Sequence, residues 1–362
     1  MTSPDENFPK AWDPAPFREA VQTTLDGFVD VQASRLAELG SDADRLVAAA
    51  REAVSGGKRF RASFCYWGFR AVRDEGYDEE QLVRAAAALE LLHASALVHD
   101  DYMDASDTRR GRPATHRAFE QQHREQGWGG DPVQYGAAAA ILLGDLLLSW
   151  ADELLRTSGF DRDRVVDALG YFDTTRGEVI AGQFLDVSVQ ARRASDVEAA
   201  MTVLRYKSAK YSVERPLHIG AALAGGSAEV FEALTGFGLP LGEAFQLRDD
   251  LLGVFGDPAL TGKPAGDDLV EGKRTVLVAL ALEHAGADDA RHLDERLGTA
   301  LEPAEIDRLR RIIEDSGAHA RVEAMIEDLT TRCLAALEAA AVTETARGVL
   351  RQLATAATQR TV

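Results

Sequence analysis

Residues 80–104 read EQLVRAAAALELLHASALVHDDYMD, and this stretch decides the fold. It contains no glycine or proline and is rich in alanine and leucine, the strongest helix formers, so it predicts one continuous helix. Within it His93, Asp100 and Asp104 lie at helical spacing, with Asp101 beside Asp100, which places imidazole and carboxylates on one face. The sequence therefore predicts a long, largely buried helix whose C-terminal end carries a cluster of carboxylates.

The same helical pattern continues through the chain from about residue 17. Alanine- and leucine-rich segments recur with charged residues three or four positions apart, while the β-branched alternation of strands is nearly absent, so the fold class is predicted to be all-α. No linker divides the chain, so we expect a flexible tail at residues 1–16 and a single domain at residues 17–362. Glycine and proline predict helix breaks at residues 55–57, 76, 111–113, 127–132, 159, 225–226, 256–266 and 286.

Composition and charge exclude several classes of protein. The chain has 362 residues, of which 46% are hydrophobic, enough for a substantial core, and a net charge of −19. Because binding to a nucleic-acid backbone needs a basic surface, nucleic acid is excluded as a partner. The two cysteines, Cys65 and Cys333, lie among apolar residues and are expected to be buried free thiols in a reducing compartment.

We expect neither a secretory signal nor a membrane span in this sequence. The N-terminus carries acidic residues before any apolar run, unlike a secretory signal. The most apolar stretch, residues 136–150, is shorter than the roughly 20 residues that cross a bilayer and has Asp145 in its middle. We therefore expect no transmembrane segment and a cytoplasmic protein.

The acidic cluster at the end of the first helix has two explanations. A solvated helix end is the more common one for a single DDxxD pattern. Here, however, the cluster directly follows an apolar run, where unpaired carboxylates are costly, and like charges at helical spacing repel one another. Mg²⁺ relieves such repulsion, because it combines one or two carboxylates with waters and substrate phosphates.

A second acidic cluster repeats this pattern in GEAFQLRDDLLGVFGD, residues 242–257, where Gln246, Asp249 and Asp250 share a helical face. Two such clusters on apolar helices predict metal ions bridged across a cavity in a helical bundle. Basic residues near chain breaks suit phosphate groups, although each alone is equally typical of an ordinary helix end. These basic residues are Lys58, Arg59, Arg61, Lys207, Lys263 and Lys273.

At these residues the sequence resembles the trans-isoprenyl diphosphate synthases, the polyprenyl synthetase family, from about residue 46 to residue 350. Five motif regions occur in the family's order: GGKRFR (56–61), HDDYMDASDTRRGRP (99–113), GQFLD (182–186), YKSAKY (206–211), and FQLRDD (245–250) followed by GKPAGDDLVEGKRT (262–275). The resemblance implies an all-helical bundle around a deep central apolar cavity, with one polyprenyl synthetase domain per chain and usually two chains in a homodimer.

The resemblance also implies roles for individual residues. The catalytic residues would be Arg109, Lys207 and the aspartates that hold Mg²⁺, with three ions in each site. These aspartates are Asp100, Asp101, Asp104, Asp249 and Asp250. Positions that bind the allylic diphosphate are matched by Arg109, Lys207, Ser208, Gln246, Lys263 and Lys273. Positions that bind isopentenyl diphosphate are matched by Lys58, Arg61, His93 and Arg110.

The second motif departs from the family's pattern at one carboxylate. Many relatives have DDxxD where this chain has DDLLG, so Gly253 removes an aspartate, and Asp257 lies beyond the glycine break and cannot be assumed to replace it. Ser208 stands where threonine is frequent, and it keeps the hydroxyl. We expect activity to survive both differences.

The implied reaction ionises an allylic diphosphate, adds isopentenyl diphosphate to the carbocation and removes a proton, leaving a chain one isoprene unit longer. Because a helical turn rises about 5.4 Å, residues on successive turns before Asp100 are expected to set product length. They are Ala96, Ser95, Leu92 and Leu89. The small residues at 95 and 96 favour the geranylgeranyl product of the bacterial synthases that the chain most resembles.

Other functions remain open at this point. A farnesyl or a longer-chain synthase would share every motif. A class I terpene cyclase would not need GGKRFR or His93, which serve a second diphosphate. A non-catalytic regulatory subunit would be expected to have lost aspartates or lysines from motifs that are nearly complete here.

Overall fold

The computed structural model describes residues 12–256 and 266–359, and the all-α fold class is confirmed. In chain order the helices are α1 (Pro14–Leu36), a 3₁₀ turn (Ala37–Leu39), α2 (Ser41–Ala53), α3 (Phe60–Val72), α4 (Glu79–Met103), α5 (Thr115–Glu125), α6 (Pro132–Arg156), α7 (Arg162–Ala191), α8 (Val197–Val203), a π-helix (Leu204–Glu214), α9 (Arg215–Ala224), α10 (Ala228–Phe255), α11 (Asp267–Glu271), α12 (Val276–His284), α13 (Ala287–Arg296), α14 (Pro303–Asp315), α15 (Ala318–Ala339) and α16 (Glu344–Thr358).

The helix expected at residues 80–104 is α4. It begins one residue earlier because Asp78 caps it: the Asp78 carboxylate accepts hydrogen bonds from the backbone N–H groups of Glu80 (2.9 Å) and Gln81 (3.3 Å). On length and composition α4 could cross a membrane, but 72% of its most apolar window is buried inside the fold, as in the core helix of a globular protein. It packs chiefly against α6.

The described helices bury two hydrophobic clusters. The larger joins α1 to α4, α6, α7, α9, α16, the first half of α10 and the C-terminal end of α15, and it contains both cysteines as buried free thiols. The smaller joins α8, the second half of α10 and α12 to α15. Helix α10 contributes to both clusters, and its C-terminal half, which carries the second acidic motif, packs into the smaller one.

The structure corrects the sequence-based expectation in several places. The first helix begins at Pro14, so residues 14–16 belong to the folded part rather than to the expected tail. Each predicted break coincides with a helix end, but further breaks make several C-terminal helices shorter than expected. Two short antiparallel strands, Thr108–Arg109 and Arg112–Pro113, were also missed.

The π-helix lies tightly between α7 and α10. A Cβ at Gly182 of α7 would lie 2.5 Å from the backbone nitrogen of Lys207, and a Cβ at Gly242 of α10 would lie 2.4 Å from the carbonyl oxygen of Ala209. Only glycine permits backbones to approach so closely at these two positions. The glycine of the GQFLD motif therefore sets the position of the YKSAKY motif.

Candidate active site

The predicted site residues line a cavity of about 1710 Å³ between α4, α7, the π-helix, α10 and α11. Its apolar wall includes Ala96 and Leu97 of α4 and Val179, Ile180 and Phe184 of α7. Its polar wall contains thirteen of the predicted residues, which are Lys58, Arg61, His93, Asp100, Asp104, Arg109, Arg110, Lys207, Ser208, Gln246, Asp249, Asp250 and Lys273. Lys263 lies outside the described residues, so its predicted role stays a prediction.

Asp101 is placed differently from its neighbours on α4. It is buried outside the cavity lining, and both its oxygens accept hydrogen bonds from Arg109 Nε, at 2.8 and 3.1 Å. Arg109 reaches it from the hairpin after α4, in which Arg110 (φ 52°) and Gly111 (φ 74°) form the left-handed turn between the two strands. Asp101 therefore orients Arg109 toward the cavity instead of facing the cavity itself.

Two lysines occupy the space between the carboxylates. Lys207 Nζ lies 3.2 Å from Asp100 Oδ1 and 2.6 Å from Asp186 Oδ2. Asp186 is the last residue of GQFLD, and the sequence analysis gave it no role. It lies on α7, and no local spacing relates it to either acidic cluster.

Lys273 is surrounded by three acids. Its Nζ lies 2.6 Å from Glu271 Oε2, 3.4 Å from Asp268 Oδ1 and 3.8 Å from Asp104 Oδ2. Asp268 and Glu271 were also missed, although the acidic run before Lys273 in GKPAGDDLVEGKRT could have drawn attention to them. The lysine thus links the end of α4 to α11.

The lysines shift the pKa values of the acids around them. Burial alone would lower the pKa of Lys207, but the charges of Asp100 and Asp186 outweigh burial and raise it. Burial opposes ionisation of Asp100, yet Lys207 and Lys273 outweigh it and lower the pKa of Asp100. Burial and the charge of Asp100 raise the pKa of Asp104 to about 6. The first cluster is thus held partly ionised by lysine.

The second acidic cluster is joined to the π-helix through a chain of hydrogen bonds. Ser208 Oγ donates to Gln246 Oε1, and Gln246 Nε2 donates to Asp250 Oδ1 at 2.8 Å. Burial, followed by repulsion from Asp268, raises the pKa of Asp250 to about 8. This carboxyl is therefore largely protonated at neutral pH unless a cation compensates its charge.

Gly253 allows a carboxylate from another helix to approach α10. A Cβ at Gly253 would lie 1.9 Å from Asp268 Oδ2. The Asp268 carboxylate thus occupies the space beside the last position of the DDLLG motif, where many relatives of the family carry an aspartate on α10 itself. The glycine that removes one carboxylate makes room for another.

The four residues matched to isopentenyl diphosphate line the same cavity, and they are Lys58, Arg61, His93 and Arg110. Arg61 donates to Ser212 Oγ at 2.8 Å, and its guanidinium lies 4.2 Å from the ring centroid of Tyr211. Tyr211 Oη lies 2.6 Å from His93 Nδ1. Burial and the charge of Arg61 hold the pKa of His93 well below its usual value, so the imidazole is neutral. The sequence analysis missed Tyr211, one helical turn after Lys207.

Of the residues expected to set product length, only Ala96 lines this cavity. Ser95 faces α6, where its hydroxyl donates to the carbonyl oxygen of Gly144 at 2.7 Å, and Leu92 and Leu89 are buried in the core. His99, which was not predicted, also lines the cavity and lies directly against Gly144. The expectation that Ser95 faces the growing chain is not supported by this placement.

The acidic residues suit a divalent cation that also binds a phosphorylated ligand. Among the described residues, no three carboxylate, imidazole or thiolate groups are arranged to hold a metal ion by themselves. Mg²⁺ needs fewer, because it takes one or two carboxylates and completes its coordination with water and substrate phosphates. Burial, followed by repulsion from neighbouring carboxylates, raises the pKa values of Asp104 and Asp250, and a cation bound beside them would favour their ionised forms.

Known proteins share this sequence and architecture. Residues 43–315 match the family described as polyprenyl synthetase. A crystal structure of geranylgeranyl pyrophosphate synthase from Corynebacterium glutamicum, complexed with isoprenyl diphosphate and magnesium, is 42% identical, with a TM-score of 0.94 over 97% of this chain and 100% of that chain.

Curated relatives carry different product names. The short chain isoprenyl diphosphate synthase of Methanothermobacter thermautotrophicus is 35% identical over 69% of this chain and 70% of its own length. The geranylfarnesyl diphosphate synthase of Natronomonas pharaonis is 35% identical over 70% of this chain and 68% of its own length.

The chain belongs to the polyprenyl synthetase family. It is a prenyltransferase, an isoprenyl diphosphate synthase of isoprenoid biosynthesis.

Replacing Gly253 with alanine is expected to displace the Asp268 carboxylate, because the new Cβ would lie 1.9 Å from its Oδ2 atom. The rise in Tm produced by Mg²⁺ with inorganic diphosphate should then be smaller than in the wild type. Gly253→Asp should show the same deficit although it restores the family's aspartate. Gly170→Ala, whose Cβ meets nothing within 4 Å, is the control. A full Tm response in Gly253→Asp would mean that the Asp268 carboxylate is dispensable.

The metal-free protein is expected to lose stability as pH rises, through Asp250. Its folded-state pKa is about 8, above the roughly 3.9 of an unfolded aspartate, so between these values the folded state binds more protons and the free energy of unfolding falls with pH. Asp250→Asn removes this contribution. Thermal unfolding in a chelator at about pH 5 and pH 8 should show a smaller fall in Tm for the variant. Equal falls in both proteins would contradict the raised pKa.

Proposed function

We propose that this protein condenses isopentenyl diphosphate with an allylic diphosphate and that geranylgeranyl diphosphate is its main product. One observation carries the proposal: a single cavity is lined by two sets of cationic residues. Lys207 and Lys273 pair with acids of α4, α7 and α11, and Lys58 and Arg61 line the same cavity with His93. Two diphosphates, of which one binds through metal, would use such a cavity.

The allylic diphosphate would bind between α4 and α10. Asp100 and Asp104 from one side and Asp249 and Asp250 from the other would hold Mg²⁺, for which we propose three ions. The bound ions would supply positive charge to the leaving diphosphate. Lysines suit direct contacts with the same phosphates, and Lys207 lies within reach of the acids that would bind the metal.

Three further residues are proposed to orient the allylic diphosphate. Arg109 is fixed by hydrogen bonds from both Nε and Nη2 to Asp101, which leaves Nη1 for phosphate oxygens. Ser208 and Gln246 lie beside the second cluster, joined by their own hydrogen bond. Lys263 is proposed as a further contact on the resemblance alone.

Isopentenyl diphosphate would bind to Lys58, Arg61, His93 and Arg110 without metal. A neutral His93 can donate a hydrogen bond without repelling the arginines around it. The stacking of Arg61 on Tyr211 holds its guanidinium flat in the cavity wall. This group would hold the nucleophilic double bond close to the allylic carbon, which lowers the barrier through proximity.

The proposed reaction breaks the allylic carbon–oxygen bond and joins the carbocation to the double bond of isopentenyl diphosphate. A proton then leaves the new chain, and the released diphosphate is the base that accepts it. Lys207, Lys273 and Arg109 stabilise the charge that develops on the leaving group. The apolar wall formed by Leu97, Val179 and other residues of α4 and α7 keeps water from the carbocation.

The test of this function is an assay of the purified protein with labelled isopentenyl diphosphate and each allylic diphosphate, followed by chromatography of the dephosphorylated products. We expect elongation that depends on Mg²⁺. Asp100→Asn and Asp249→Asn should each lower kcat by about 100-fold or more, the loss typical of a removed electrostatic contact in catalysis, with an unchanged circular dichroism spectrum. A folded Asp100→Asn protein with wild-type turnover would refute the assignment.

Product length is proposed to depend on Ala96. Four residues at 1.5 Å each place it about 6 Å below Asp100 along α4, where a small side chain leaves the cavity open. A phenyl ring there would occupy the space of the last isoprene unit. Ala96→Phe should therefore shift the product to farnesyl diphosphate, and Ala96→Val should give a mixture. If chromatography shows geranylgeranyl diphosphate alone from an active Ala96→Phe enzyme, residue 96 does not limit the chain.

The protein is also proposed to be a cytoplasmic homodimer. Large apolar side chains that do not line the cavity are exposed on α6, namely Val133 (51% exposed), Ile141 (46% exposed) and Leu142 (60% exposed). Such a surface is typical of one that a second chain covers. The family resemblance supports a homodimer, and the buried free thiols support a reducing compartment.

A further inference from the structure

Arg59 stands between two residues of the proposed isopentenyl diphosphate site, Lys58 and Arg61, but its side chain does not line the cavity. It is only 4% exposed. We propose that Arg59, Gln22 and Glu90 form a clamp that positions this site without contacting the substrate. The inference rests on the proposed function of Lys58 and Arg61.

The backbone of the GGKRFR loop needs an external constraint. Gly56 (φ 65°), Gly57 (φ 95°) and Arg59 (φ 52°) are all left-handed, and Arg59 adopts this conformation immediately before α3 begins. L-residues other than asparagine and aspartate rarely do so without tertiary support. The loop direction, and with it the position of Lys58, therefore depends on what holds Arg59.

The Arg59 guanidinium is bound on three sides. Nη1 donates to Glu90 Oε2 of α4 at 3.2 Å, and Nη2 donates to the carbonyl oxygen of Val54 at 2.7 Å and to Gln22 Oε1 of α1. One side chain thus ties the loop to its own beginning and to two separate helices. Arginine suits this role because its planar fork presents several donors in fixed directions.

Both acceptors also bind the loop backbone directly. Gln22 Oε1 accepts the N–H of Gly56 at 3.0 Å, at the start of the loop, and Glu90 Oε1 accepts the N–H of Ala62 at 3.1 Å, in the first turn of α3. Glu90 lies one helical turn before His93 on α4. The clamp therefore fixes Lys58 and Arg61 relative to the imidazole that completes their site.

Arg110 also contacts this loop. It donates to the carbonyl oxygen of Ser55 at 2.9 Å, and a Cβ at Gly57 would lie 3.1 Å from its Nη2 atom. The loop is thus held by Arg110 as well as by the clamp. Such preorganisation improves affinity because binding then orders fewer groups.

If the clamp residues only stabilised the fold, replacing them would lower Tm and change the KM values of the two substrates equally. The test therefore compares the KM values for isopentenyl diphosphate and the allylic substrate. Removing Arg59 or Glu90 leaves a buried charge and can unfold the protein, whereas Gln22 is half-buried and uncharged. Gln22→Ala should raise the KM for isopentenyl diphosphate by about 3- to 10-fold, as expected for the loss of a typical intramolecular hydrogen bond. The KM for the allylic substrate, kcat and Tm should stay close to wild type.

Two further variants complete the experiment. Thr23→Ala, exposed on the same turn of α1, is the matched control and should leave both KM values unchanged. Arg59→Lys keeps the charge opposite Glu90 but cannot bond to all three acceptors, so it should show the same selective rise as Gln22→Ala.

Lys58→Ala distinguishes failure of the clamp from failure of the proposed function. If Lys58→Ala raises the KM for isopentenyl diphosphate and folded Gln22→Ala and Arg59→Lys proteins do not, the clamp is refuted and the site assignment stands. If Lys58→Ala has no effect on that KM, the site itself is misassigned. Equal rises in both KM values in Gln22→Ala would also overturn the clamp.

Discussion

The charge balance between Lys207, Lys273 and the acids of the cavity is the constraint on which the rest of the site depends. The lysines come from the π-helix and from the segment after α11, whereas the acids come from α4, α7 and α11. The pairs of Lys207 with Asp100 and of Lys273 with Asp104 join elements that are distant in sequence, whereas Lys273 pairs with Asp268 and Glu271 within its own segment. In the absence of other cations, the lysines allow buried carboxylates to remain close together, which would otherwise be strongly unfavourable.

Irregular backbone positions most of these groups. The π-helix carries Lys207 and Ser208, and two glycines on the neighbouring helices allow its backbone to pack closely against them. A left-handed hairpin turn directs Arg109 and Arg110 to different partners. Regular helices alone would place side chains only along fixed stripes. The helices thus provide a rigid frame, and single turns that depart from α-helical geometry aim the cationic residues into the cavity.

Sequence reasoning identified the site residues whose arrangement follows from their spacing along a single helix. Asp100 and Asp104 are one turn apart on an uninterrupted helix, so their shared face follows from periodicity. Asp186 was missed because its proximity to Lys207 is created only by tertiary packing, whereas Asp268 lies five residues before Lys273 and was overlooked in that acidic run. The placement of Ser95 and Ala96 was equally undetermined: adjacent residues on a helix point about 100° apart, and only the position of α6 decides which one meets the cavity.

The position of α10 across both hydrophobic clusters affects how the protein is expected to unfold. The first acidic motif belongs to the larger cluster, whereas the C-terminal half of α10, with Asp250, is packed into the smaller one. Local opening of the smaller cluster would separate the two acidic groups while most of the fold persisted. A ligand that bridges both acidic groups must oppose this opening. Its binding should therefore slow amide hydrogen exchange in α12 to α15, although these helices line little of the cavity.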